Sequence, residues 1–129
     1  MANKNVPAKG LSLGAFDQSI TRVKKAFGVL EVLSQCDSIG DVEANAAWAA
    51  SGLAGEALLT LEGLEKKGAI FLLAEHEKDK LLERLHQAAG VTRALHEALG
   101  PDNLASAAWA ADDLLTEAAS TIDEGMANV

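Results

Sequence analysis

Few residues of this chain have types and spacings that support chemistry. Glu83 and His86 form an E-x-x-H, the spacing by which carboxylate-bridged di-iron bundles set two ligands on one helix face. Such a site needs a second E-x-x-H and further glutamates from other helices. The matching positions in the first half of the chain are Thr21 and Lys24, so half of the ligand set is missing. His76-Glu77 and His96-Glu97 each lack the second histidine of H-E-x-x-H. Cys36 is the only cysteine, sits on an apolar flank near a predicted helix end and has no nucleophile context. No phosphate-cradling glycine loop, G-x-S-x-G or zinc spacing occurs. The expectation is a protein without catalytic residues, metal or cofactor.

A second set of residues stands out because it occurs twice. The string AAWAA fills 46–50 and again 107–111, and Trp48 and Trp109 are the only tryptophans. Aligning 44–62 with 105–123 gives ten identities in nineteen columns, among them Trp48 with Trp109, Glu56 with Glu117 and Thr60 with Thr121. Aligning 20–33 with 82–95 matches Arg22 with Arg84, Ala26 with Ala88, Gly28 with Gly90, Val29 with Val91 and Leu33 with Leu95. Trp48, Trp109, Glu56, Glu117, Arg22 and Arg84 are therefore candidates for an inter-hairpin polar and aromatic centre. The expected arrangement is an ion pair within each hairpin, each arginine facing the glutamate of its own copy. Each indole is expected to fill the space left by its flanking alanines, burying about 150–250 Å².

The elements that must position these residues read as helices. Alanine and leucine dominate an apolar fraction of 49%, aromatics are 4%, and only Pro7 and Pro101 could break a helix. Phe16, Ile20, Val23, Phe27 and Leu30 step by four and three, with Asp17 or Ser19 as cap. SQCDSIGD is a turn, and a second helix follows from about Val42 to Lys66 with the stripe Ala46, Ala50, Leu53, Ala57, Leu61, Leu64. Trp48, Gly52 and Gly55 lie on another face of it. A glycine inside a helix costs roughly 1 kcal/mol, so close approach of a neighbour is expected there. GAIFLLA at 68–74 is either extended or the start of a third helix, with helix preferred. The third helix is clearest from Lys78 to Leu99 through Leu81, Leu85, Ala88, Thr92, Leu95 and Leu99. Gly100-Pro101-Asp102-Asn103 stops it and starts a fourth, from Leu104 to Asp123.

The fold class expected is all-α: a four-helix bundle of two duplicated antiparallel αα-hairpins forming one domain. Residues 1–15 read as a flexible tail, 16–67 as the first hairpin and 68–125 as the second, with EGMANV fraying at the end.

Charge narrows the function. The net charge is −8, which disfavours direct nucleic-acid binding. No lysine or arginine follows Arg93, whereas Asp112, Asp113, Glu117, Asp123 and Glu124 do, making them candidate partner-binding residues for a basic protein surface. A single cysteine implies no oxidising compartment, no secretory h-region is visible, and the longest apolar run, AIFLLA, is too short to span a bilayer; a cytoplasmic protein is expected. The reading is a non-catalytic regulator, adaptor or inhibitor acting on a protein partner. It has the look of bacterial, plasmid or phage accessory proteins, one form being an inhibitor of a host nuclease or defence complex. The alternatives are a homodimer or larger homo-oligomeric scaffold, meeting at Val29, Val32, Cys36 and GAIFLLA, and a small-molecule-binding bundle.

Overall fold

In the computed structural model, residues 9–100 and 103–128 are described. Four helices, α1 (Leu13–Ser34), α2 (Asp41–Glu62), α3 (Glu75–Leu99) and α4 (Asn103–Gly125), are joined by short connections and run up-down-up-down. Each packs on its two neighbours in a ring, α1 on α2 and α4, α3 on α2 and α4, as expected of a four-helix bundle. The predicted stripe of the third helix is largely its core face: Leu81, Leu85, Ala88, Thr92 and Leu95 are buried, Ala89 with them. In α2 the inward face is Ala47, Ala50, Ser51, Ala54, Ala57 and Leu61, about a sixth of a turn from the predicted stripe, with which it shares Ala50, Ala57 and Leu61. Alanine dominates the inner faces of α2 and α4, and their backbones come close to the leucines of α1 and α3 (Leu30, Leu33, Leu81, Leu85, Leu95).

A four-stranded antiparallel sheet, absent from the sequence expectation, joins the bundle. Its strands are β1 (Lys9–Ser12), β2 (Glu65–Lys67), β3 (Ile70–Leu73) and β4 (Met126–Asn128), ordered β2-β3-β1-β4. All four flank the same end of the bundle, where α1 and α3 begin and α2 and α4 finish. Residues 9–12 of the expected tail are thus a strand, and the first helix starts at Leu13, with Ser12 Oγ accepting the Ala15 N–H at 3.2 Å in place of an Asp17 or Ser19 cap. GAIFLLA is extended, not helical. Gly68, at φ +64°, starts the tight turn between Lys67 and Ile70. Leu73 and Leu11 are buried from this sheet, and Phe71 stacks on Phe16 with ring centroids 3.7 Å apart. Met126–Asn128 pairs with β1 instead of fraying. A Cβ on Gly10 would collide with Ile70, so this strand position requires glycine.

The two halves correspond element for element as β-α-α-β. The sheet order β2-β3-β1-β4 and the ring of helix contacts are both unchanged when the halves are exchanged. Leu11 and Leu73, the last core residues before α1 and α3, occupy equivalent places, as do Leu33 and Leu95. Pro101 and Asp102, expected to stop and cap helices, lie outside the described residues. No helix among the described residues is long and apolar enough to cross a membrane.

Candidate interaction site

Residues advance about 100° around a helix, so a side chain next in sequence to a core alanine points well away from the core. In α2 the alanines at 47 and 50 face inward, and Trp48 between them faces out with 72% of its surface exposed. Trp109 is likewise 58% exposed between buried Ala108 and Ala111. The expectation that each indole fills the space beside its alanines is therefore corrected: the alanines are the packing device, and the tryptophans stand on the surface.

Trp48 shares its outer line with Gly52, Gly55 and Leu59, at successive steps of four, three and four. Leu59 is 70% exposed. The line is bracketed by the neighbouring helices. On one flank, a Cβ at Gly55 would lie 3.1 Å from the Phe27 ring of α1. On the other, Glu56 Oε1 accepts from Arg84 Nε of α3 at 3.0 Å. The centre of the line, Gly52, points between these flanks and away from the bundle, and a Cβ added there would meet nothing within 4 Å. The expected close neighbour thus exists at Gly55, as a phenyl ring, and is not found at Gly52 among the described residues.

On α4 the equivalent line reads Trp109, Asp113, Thr116, Ser120. Only the tryptophan is kept. Gly55 against Phe27 in one half corresponds to Thr116 and Ala89 in the other, so bulk has moved from one helix to the other.

The repeated arginines and glutamates do pair, but across the halves. Arg22 Nε of α1 lies 3.4 Å from Glu117 Oε1 of α4, and Arg84 of α3 bridges Glu56 of α2. The expectation of a pair within each hairpin is corrected: these side chains sit on the seams between hairpins. Arg22 also donates to Thr121 Oγ1 at 3.0 Å. All four side chains are partly solvent-exposed, and the tryptophans take no part, so no joint polar and aromatic centre forms.

The acidic residues of α4 are largely engaged. Asp112 is nearly buried and accepts a two-pronged bond from Arg93, Nε to Oδ2 and Nη2 to Oδ1, both 3.1 Å. This carboxylate raises the already high pKa of Arg93 by hydrogen bonding and by charge attraction. Asp123 meets Lys78 Nζ at 3.3 Å, Glu117 meets Arg22, and Glu124 accepts from Ser120 Oγ at 3.0 Å. Asp113 is exposed. Three of the five candidate acids are therefore neutralised by cations of the same chain.

His76 and His86 are exposed, His96 is half-buried, and Glu83 is held by Arg84 at 3.1 Å. Cys36 Sγ lies 3.1 Å from Ser38 Oγ. Among the described residues no three His, Cys, Asp or Glu side chains cluster. Val32, named above as a meeting point of a homo-oligomer, is 70% exposed. An open cleft of about 540 Å³ lies where Leu59, Leu64 and Glu65 face Leu72, Leu73 and Glu77, and it extends the outer line of α2 towards the sheet. Glu77 is occupied in capping α3, accepting from the Ala74 N–H at 3.1 Å.

Comparison with protein-family models, with curated proteins and with solved structures finds no match to this chain.

Proposed function

We propose that the protein acts by protein–protein docking, without catalysis, and that its docking surface is the outer face of α2. The observation that carries this reading is a pair of large exposed apolar side chains, Trp48 and Leu59, on one line of α2; between them lies Gly52, where a Cβ would meet none of the described residues within 4 Å, as at Gly28 and Gly90. Helix propensity disfavours Gly52 by roughly 1 kcal/mol relative to alanine, and a partner backbone approaching at that point offsets the cost. Tryptophan seated in a partner's pocket is among the most effective anchors of an interface. The class remains regulator, adaptor or inhibitor. The surface moves from the acids of α4, mostly engaged internally, to α2. The free thiol of Cys36 fits a cytoplasmic setting. We further read the halves as copies of one β-α-α-β unit, supported by the recurring tryptophan, glutamate and arginine and by the exchangeable sheet order.

The test places a photo-crosslinking side chain at position 59 and, in a second variant, at the equivalent position 120, in expressing cells. A discrete protein adduct from 59 and none from 120 is the expected result. Equal labelling, or no adduct from 59, contradicts the proposal.

A further inference from the structure

We infer that the partner docked on the outer face of α2 is a second copy of this chain, related by a two-fold axis that sets the two α2 helices antiparallel. This inference rests on the docking reading above and names its occupant. A two-fold interface must be self-complementary: if residue i meets residue j of the copy, j meets i. The order large, small, small, large at steps of four, three and four has this property. With the axis between Gly52 and Gly55, Trp48 lies opposite the copy's Leu59, Leu59 opposite its Trp48, and the glycines opposite each other. The glycines let the two helix backbones approach to about 8 Å, the short end of helix packing distances. The Trp–Leu pairs then close both ends of the contact.

Charge selects this orientation. Helix α2 carries Asp41, Glu43, Glu56 and Glu62 and no lysine or arginine. In a parallel pair each carboxylate would meet itself, in a chain already at −8. In the antiparallel register Glu62 falls opposite Asn45 and Glu56 opposite Ser51, while Glu43 and Asp41 lie beyond Glu62, the last residue of the facing helix. No acid of α2 meets an acid of the facing helix. The antiparallel helix dipoles add to the preference. The equivalent line on α4 has Asp113 in place of Gly52 and Ser120 in place of Leu59, so the copy seats on α2 and not on α4. One helix face buries less than the roughly 800 Å² per partner of a standard interface, which makes a reversible dimer the expected form.

Sedimentation equilibrium of the full chain, from about micromolar to about millimolar concentration, provides the test. The mass is expected to rise from 13.4 kDa to twice that value. Trp48→Ala is expected to weaken association by roughly 30-fold, as for an interface anchor, and Trp109→Ala to leave it unchanged. A Cβ at Gly52 meets none of the described residues within 4 Å, so Gly52→Leu is expected to fold as the parent does while blocking the backbone approach and abolishing the dimer. Asn45→Glu weakens the dimer by placing a carboxylate opposite Glu62, and Asn45→Glu with Glu62→Lys restores it, a rescue only the antiparallel register produces. A mass of 13.4 kDa throughout, or association indifferent to Gly52→Leu, overturns the second copy. If the chain stays monomeric while the probe at 59 captures a different protein, the dimer falls and the docking face stands. If neither occurs, both fall.

Discussion

Helices α2 and α4 hold equivalent places in the bundle, and their inner faces are close to the same text: Ala47, Ala50 and Ala57 on one, Ala108, Ala111 and Ala118 on the other, all buried. Their outer faces have parted. Beyond the shared tryptophan, α2 shows Gly52, Gly55 and Leu59, whereas α4 shows Asp113, Thr116 and Ser120. Inner faces are tied by packing density, where a single methylene is felt. Outer faces are bound only by solubility unless something docks there. The polar line of α4 is what solvent alone favours. The apolar, glycine-bearing line of α2 is disfavoured both in water and in an isolated helix, and the docking proposal rests on this asymmetry.

The comparison breaks most readily at its shared part. Leu33→Ala and Leu95→Ala, at equivalent buried positions, are each expected to cost about 2–5 kcal/mol and by similar amounts, measured by denaturant unfolding. A large inequality would show that the halves do not share a core. Asp112→Ala comes next. It removes the buried end of the Arg93 pair, at a cost of about 1–3 kcal/mol. Ser51→Ala, at the equivalent place in α2, is expected to change stability by less than about 0.5–1 kcal/mol. Gly52→Ala should stabilise the monomer by roughly 1 kcal/mol, whereas Asp113→Ala on α4 should gain less than about 0.7 kcal/mol. A loss of stability on Gly52→Ala would mean that the glycine serves the fold. Arg22→Ala and Arg84→Ala should likewise each cost under about 1 kcal/mol, equally, because both seam pairs are solvent-screened. Their effects should add in the double variant, since no residue is shared between the two seams.

The sequence made the helices legible where leucines recur at helical spacing. Leu81, Leu85, Thr92 and Leu95 were enough to place the core face of α3. The expected inner face of α2 is off by about a sixth of a turn, because a helix in which alanine, glycine and leucine lie on every side has no polar face to mark the outside. AAWAA is the extreme case: two alanines on each side of a tryptophan give no sign of which way the indole points. The sheet escaped because its strands are three or four residues long, too short for alternation to show. Ile70 and Phe71 were the available cue, a β-branched and an aromatic residue side by side in a chain poor in both. The repeated Arg and Glu residues were legible as partners, but matching offsets cannot distinguish a bond within a hairpin from one across the seam. The outer line of α2 was visible only in part: Trp48, Gly52 and Gly55 fell on one face, and Leu59 completes the line once the exposed side is known.

Oxidative footprinting of Trp48 and Trp109, in expressing cells and in the dilute purified chain, tests the central claim most directly. Both indoles are open in the isolated chain, so each reports its own helix face. Docking on α2 predicts that Trp48 is protected several-fold in cells while Trp109 reacts as it does in isolation. Equal reactivity of the two indoles in cells, or protection of Trp109 alone, would contradict it.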